Sequence, residues 1–325
     1  MSVALHRRGL LATLLLPAAQ AAAQSAAWPT RAVTLVVPFA PGGPVDNVAR
    51  PLAEGLRRQL GQPVVVENRA GGGGVVGTRA VAGARPDGYT LLIGSAGPLT
   101  IAPAASGSTA PDPLQALAPI ALIAESPQVL VVTKDLPART LAEFLALARA
   151  RPGELNLGSA GIGTTPHLAM ELLARIAEVR FEHVPYRGTG AALPDLIGGK
   201  IEALFGDISA VLPLLRDGQV RALAITGSQR SPLAPEIPSA AELGYPALQV
   251  RNWQALLAPA GTPESILRRA AEAVAAAHGD EAVRTVLANQ GALPAQSGPA
   301  HLAEFLRAER TTWEPIVRAI GLTLR

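Results

Sequence analysis

The sequence predicts an α/β fold with mainly parallel sheets. Short apolar, β-branched runs alternate with amphipathic stretches along most of the chain. Glycine-rich turns recur at the C-terminal ends of the runs and open the next helix. At 325 residues the chain is long enough for two domains of ordinary size.

Val33–Val37 is the first strand, apolar as in a sheet covered on both faces. Pro38 stops it. Gly42 and Gly43 turn the backbone, and Pro44 suits a first helical position because its missing N–H would be an orphan there. A helix start without guarding side chains is a ready anion site, and equally an ordinary tight β–α connection. Val48, Leu52, Leu56 and Leu60 then mark an amphipathic helix over Val45–Leu60, with a kink or late start expected at Pro51 and Gly61 as its end. Pro63–Val66 is the second strand. Gly72, Gly74 and Gly77 satisfy the dinucleotide fingerprint, but in the second β–α unit. The next strand, Thr90–Ile93, ends without an acid to hold a ribose. The glycines therefore read as a bare helix start where backbones pack closely. Gly94–Gly97 is a third glycine-lined strand end, and residues 102–119 read as an irregular loop.

Ile120–Ala124 and Gln128–Val132 read as two strands, the second beginning the crossover into another domain. Leu141–Ala150 is a helix capped by Thr140. Leu155–Leu157 is a strand whose glycine turn repeats the opening device, with Thr165 as N-cap and Pro166 as the first helical residue. Strands follow at Phe181–Val184, Ile201–Phe205, Arg221–Thr226 and Asn252–Ala258. Helices are expected around Leu212–Leu215, over Pro263–His278, after Asp280 and over Pro299–Ile320.

Composition narrows the function. With 49% hydrophobic residues a core is easily built, and 3% aromatics argue against a nucleic-acid stacking platform. The net charge of +3 falls to +1 without Arg7 and Arg8, leaving 26 basic against 25 acidic residues, so no basic surface calls for nucleic acid or an anionic membrane. No cysteine is present, which excludes disulfides and thiolate chemistry. His6-Arg7-Arg8, the apolar Gly9–Ala19 and Ala21-Ala22-Ala23 read as an export signal over residues 1–23, by the secretory or the twin-arginine route. No G-x-S-x-G, H-E-x-x-H or P-loop Lys appears, so no catalytic residue, metal or cofactor is expected. His167 has no evident acid or nucleophile beside it, and a helix start disfavours its cation. It reads as a structural or ligand-touching neutral imidazole. Glycine clusters near residues 41–46 and 158–167 fall in what should be different domains. A cleft between them, lined with bare N–H groups, suits an anionic ligand.

Several stretches carry a specific resemblance: Val36–Asp46, Gly61–Arg69, Pro86–Leu92, Ser159–His167, Val184–Gly188, Asp195–Gly199 and Leu257–Pro263. In content and order the chain resembles the tripartite tricarboxylate transporter substrate-binding receptors, the Bug family of bacterial periplasms. The resemblance implies a type II-like two-domain periplasmic binding fold with a hinged cleft, divided as residues 24–128 plus 253–325 and residues 129–252. It implies a monomer that receives a small carboxylate and hands it to membrane permease subunits, with no nucleic-acid partner. Phe39, Gly42, Gly43 and Asp46 would line one wall, with Ser95 and Gly97 at the mouth. Ser159, Ala160, Gly163, Thr164, Thr165 and His167 would grip a carboxylate from the other wall, joined by Tyr186 and Gly188. Asp46 would orient a water or an amino group, or cap its helix. Gly206 departs from the family pattern, which often has an acid there; here Asp207 follows one place later. A sensor for a signalling partner and a small-carboxylate enzyme using the same cleft are the alternatives.

Overall fold

The computed structural model describes residues 28–105, 112–186, 188–289, 291–295 and 298–322. The stretch expected to be an export signal lies outside them, as does the middle of the 102–119 loop.

The elements in order are β1 (Val33–Val37), α1 (Pro44–Leu60), β2 (Val64–Asn68), α2 (Val75–Ala82), β3 (Thr90–Ser95), β4 (Leu117–Thr133), α3 (Leu141–Ala150), β5 (Asn156–Ser159), α4 (Thr165–Ile176), β6 (Glu182–Pro185), α5 (Thr189–Ile197), β7 (Ala203–Asp207), α6 (Ile208–Arg216), β8 (Val220–Ile225), β9 (Arg251–Pro259), α7 (Glu264–Gly279), α8 (Glu281–Asn289), β10 (Leu293–Pro294) and α9 (Pro299–Ala319). The apolar stripe of α1 is buried from Val45 to Leu60, and Gly61 ends the helix in a left-handed conformation. Pro51 does not delay its start, which is at Pro44. The 102–119 loop also contains one-turn helices at Ala102–Ala105 and Pro113–Ala116.

The strands run in the order β2-β1-β3-β9-β4-β7-β5-β6, with β8 and β10 also paired to β4. The outer strands pair parallel: β1 with β2 and β3, and β5 with β6 and β7. The centre is antiparallel, through β3–β9, β9–β4 and β4–β7. The two strands expected at Ile120–Ala124 and Gln128–Val132 are one 17-residue strand. Prolines do not break it because they stand where the ladder is already irregular. Pro119 borders a bulge against β9, and Pro127 is the last residue before the partner changes. Up to Pro127 the strand pairs with β9; from Gln128 onward it pairs with β7 and β8.

Three clusters of buried side chains hold these layers. Leu35, Leu52, Leu56, Ile93, Ile123 and Val274 join β1, β3 and β4 to α1 and α7. Val131, Leu196, Leu204, Val211 and Ile225 do the same for the later half of β4 with β7, β8, α5 and α6. The largest cluster includes Leu92, Leu130, Phe144, Phe205, Trp253 and Trp313, so it is shared by both halves of the sheet. The last helix is pinned to that cluster by a buried carboxylate. Glu309 on α9 accepts from Trp253 Nε1 at 2.7 Å and from Trp313 Nε1 at 3.0 Å. Burial pushes its carboxyl above the usual range, and the two indole N–H groups oppose that shift. Among the described residues no helix is long and apolar enough to cross a membrane.

The glycine-rich second unit is a close-packing device. A Cβ on Gly77 would lie 2.7 Å from the Arg69 carbonyl oxygen and 2.8 Å from Pro38 Cα. On a free helical face Gly→Ala stabilises by about 1 kcal/mol. Here backbone stands on the other side, so Gly77→Ala is expected to destabilise by roughly 1–3 kcal/mol. The midpoint of chemical denaturation checks this; a more stable variant would show that Pro38 and Arg69 yield.

Candidate functional site

The strand directions bring two sets of C-terminal ends together. β3 and β4 both run antiparallel to β9, so β3 advances with β4 toward the point where β4 changes partner. β7 runs antiparallel to β4 and returns to the same point, with β5 and β6 parallel beside it. Ser95, the end of β3, pairs with Gln254, which pairs with Ala124 on β4; Asp207, the end of β7, pairs with Gln128. Four residues of strand separate the two rows, roughly 13 Å. The turns after β1 and β5 therefore belong to two sheet edges that meet at this crossing.

At the first edge Asp46 is the hub. It is 1% exposed and accepts from Gly42 N at 2.9 Å, Arg50 Nε at 2.8 Å and Asn68 Nδ2 at 2.9 Å. Asn68 also donates to the Phe39 carbonyl at 3.0 Å, so one amide ties β2 to the turn after β1. Asp46 is the third residue of α1 and reaches back past Gly43, the N-cap, in the manner of a capping box. Burial raises the Asp46 carboxyl, but the bonds from Arg50, Gly42 and Asn68 together outweigh it and hold the group below the usual range. The Gly42 N–H is thus taken by the protein's own carboxylate. Gly43 offers its carbonyl to Asn47 N at 2.9 Å. The Phe39 ring leans on Gly74, where a Cβ would lie 2.9 Å from Phe39 Cζ, and Gly97 stands beside the Gly73 carbonyl. Ser95 is buried.

The second edge is built on the turn after β5. Thr164, not Thr165, is the N-cap of α4, and its side chain does not cap the helix. Instead its hydroxyl donates to the Gly161 carbonyl at 2.6 Å and closes the turn. The position shifts because the hydroxyl finds a carbonyl within its own turn, leaving Thr165 buried as the first helical residue. Gly163, with φ of +74°, donates its N–H to His167 Nδ1 at 3.2 Å. That ring stacks on His183, with centroids 4.1 Å apart, and its Nε2 lies 3.5 Å from Glu171. His183 Nε2 is 2.7 Å from Ser159 Oγ, which also accepts from Gly161 N at 3.0 Å. Burial, and then the neighbouring His167, push His183 down to about 4. The Ala160 carbonyl accepts from Gly188 N at 3.1 Å, and the Tyr186 hydroxyl donates to Asp195 at 2.8 Å. Burial and then that carboxylate push the Tyr186 phenol up to about 12. The Tyr186 hydroxyl and the Gly188 N–H are therefore already engaged within this wall.

Between the edges, Asp207 Oδ1 accepts from Gln128 Nε2 at 2.7 Å and from Asn252 Nδ2 at 3.3 Å. Burial pushes its carboxyl up, against the pull of the two amides. The buried oxygens Gln128 Oε1 and Gln254 Oε1 have no hydrogen-bond partner among the described residues. Among the described residues no group of three or more His, Asp or Glu is placed to hold a metal ion. Sequence reasoning missed His183, Gln128 and Asn252 as parts of these clusters, because each acts through a partner far along the chain. The expectation that His167 has no acid beside it is also corrected: Glu171 stands 3.5 Å from its Nε2, and the i, i+4 spacing was the signal that could have found it.

The Asp46 hub makes a stability prediction. Asp46→Ala leaves Asn68 and the Gly42 N–H without their acceptor and is expected to cost about 2–4 kcal/mol. Arg50→Ala removes only an exposed partner and is expected to cost under about 1 kcal/mol. Because the folded carboxyl lies below its ordinary 3.8, this contribution is present above that pH and fades as pH falls further. Urea unfolding of both variants at pH 7 and near pH 3 checks size and sign together.

The chain matches the model of the tripartite tricarboxylate transporter family receptor over residues 48–322. It is 39% identical over 299 residues to protein BugT of Bordetella pertussis, covering 92% of each chain. Among solved structures it is similar to MatC from Rhodopseudomonas palustris with bound malate, with 39% identity and a TM-score of 0.78, covering 89% of this chain and 100% of that one. It is also similar to R. palustris Rpa4515 with adipate, with 36% identity and a TM-score of 0.82, covering 91% of this chain and 99% of that one. The chain belongs to the tripartite tricarboxylate transporter receptor family, and its α/β fold is that of the family's periplasmic binding proteins.

Proposed function

We propose that this chain is an exported periplasmic receptor that closes on a small carboxylate and presents it to the permease subunits of a tripartite transporter. The observation that carries the reading is the helix start at Thr164, which no side chain caps, on the sheet edge that meets the first at the β4 crossing, where Asp46 already occupies the helix start at Gly43. Backbone N–H groups and the helix dipole receive an anion there without a cationic side chain. The malate and adipate held by the two R. palustris relatives support the ligand class.

In this reading the hinge is the change of partner at Pro127 and Gln128, with its counterpart at Arg251 and Asn252. The lobes are residues 24–128 plus 253–325 and residues 129–252. Ligand favours the closed state because only there do both walls contact it. The protein acts as a monomer and binds without turnover. Ser159, Ala160, Gly163, Thr164, Thr165 and His167 form the principal grip. Phe39, Gly42, Gly43 and Asp46 shape the opposite wall, with Ser95 and Gly97 near its mouth. The buried amide oxygens of Gln128 and Gln254 are acceptors suited to an ordered water between the lobes. Asp207, fixed by Gln128 and Asn252, belongs to the floor.

A thermal-shift screen against malate, adipate, citrate and amino acids tests the reading. A ligand at about 100 times its dissociation constant adds roughly 2.7 kcal/mol of stability. The double variant Thr164→Val/Thr165→Val is expected to weaken binding of the hit about tenfold, because it removes the Thr164–Gly161 bond that closes the turn together with the Thr165 hydroxyl. Unchanged affinity would place the anion elsewhere. A flat screen, with native mass spectrometry finding no ligand carried through purification, would overturn the carboxylate assignment. Loss of a carboxylate substrate at catalytic amounts of protein would overturn the receptor reading.

A further inference from the structure

The turn after β5 is braced by four side chains, two of which, Ser159 and His167, also belong to the proposed grip. Ser159 ends β5, His183 lies beside it on β6, and His167 and Glu171 stand one turn apart on α4. The Gly163 contact fixes the proton of His167, and the lengths of the Ser159 contacts assign that of His183. His167 Nδ1 accepts from Gly163 N, so the ring carries its proton on Nε2, toward Glu171. Ser159 Oγ accepts from Gly161 N and lies 2.7 Å from His183 Nε2 and 3.2 Å from the Gly161 carbonyl; the shorter contact has the length of an O–H donor bond, so we assign the hydroxyl proton to His183 Nε2. His183 then carries its proton on Nδ1. The two neutral rings hold opposite tautomers and lie nearly parallel, 4.1 Å apart.

We propose that His183 is a positioning residue for the anion turn: through Ser159 and the stacked ring of His167 it holds residues 159–165 in the shape that receives a carboxylate, and it does so only while both rings are uncharged. The proposal rests on the carboxylate reading of this turn. A proton arriving on His167 has one free nitrogen to take, Nδ1, where it would confront the Gly163 N–H donor to donor. A proton arriving on His183 reverses the Ser159 bond and turns the hydroxyl to the Gly161 carbonyl, 3.2 Å away. Two cations at the stacking distance repel each other strongly. Among the described residues the charged or titratable groups that act on His183 are His167 and Glu171. Glu171 faces His167 Nε2 from the same helix, and Tyr186, just beyond β6, is turned to Asp195 and Lys200.

Nitrogen-15 NMR of the ligand-free protein, titrated from pH 7.5 to 4, tests this directly. At pH 7.5 His167 is expected as the Nε2–H tautomer and His183 as the Nδ1–H tautomer. The Gly161 and Gly163 amide resonances should move with the imidazole nitrogens at a shared midpoint. In His183→Phe, which keeps the stack and removes the partner of Ser159, the Gly161 response should vanish. Imidazoles that titrate while both glycine amides stay still, or the reversed tautomers, would overturn the proposal. Calorimetry with malate and adipate at pH 7.5 is the second arm. His183→Phe should weaken binding about tenfold, and His183→Gln, which returns a hydrogen-bonding group to Ser159, should recover much of it. Wild-type affinity in His183→Phe would also overturn the proposal. Should the wild-type protein bind neither probe, the carboxylate reading fails with these ligands, and the NMR titration still decides whether His183 positions the turn.

Discussion

The architecture depends on one strand having two sets of neighbours. β4 enters the sheet beside β9 and leaves it beside β7 and β8. A strand can serve two sheet edges in this way only if the ladder is interrupted where the partners change. The interruption is supplied by Pro127 on β4 opposite Arg251 at the start of β9. Every feature of the candidate site follows from that crossing. It sets β3 and β7 end to end, and it therefore points the turns after β1 and β5 into the same region. Had β4 ended at Glu125, the two glycine turns would be unrelated.

The two turns are alike in sequence and different in electrostatics. Both place glycine before a helix that no side chain caps. In the first, the Asp46 carboxylate takes the Gly42 N–H, so this helix start already holds an anion of its own. Asp46 is itself tied to Arg50 and Asn68, so its charge is balanced within the turn. In the second, the groups that bond the turn directly are the hydroxyls of Ser159 and Thr164 and the imidazole of His167. One helix start is thus neutralised internally, and the other is not.

Much of this was legible in the sequence. Strand and helix periodicity placed nearly every element, because β-branched runs and i, i+4 apolar spacing are local signals. The glycine turns were legible for the same reason. The antiparallel centre was not, since β9 joins β3 and β4 across more than a hundred residues and no local pattern announces a pairing partner. The single β4 was misread because Pro127 is a strong breaker signal, and only the change of partner makes it harmless. At the site, Thr165 was taken as the cap because a threonine before a proline is the usual signal, whereas the contact between Thr164 and Gly161 depends on the turn's closed shape. The role of Asp46 was half legible: its place in the first turn of α1 fits helix capping, but Asn68 arrives from the next strand.

The position of β9 between β3 and β4 has a consequence for assembly. Residues 251–259 complete the middle of the sheet, although the strands on either side are made long before them. A chain emerging from its N-terminus leaves the free edges of β3 and β4 open, apolar and unpaired, until about four-fifths of its length is available. β5, β6, β7 and β8 come from one contiguous stretch and can pair on β4 without waiting. The half of the sheet that begins the sequence is therefore the last to close. Its exposed edges make it the part most dependent on protection from aggregation during folding.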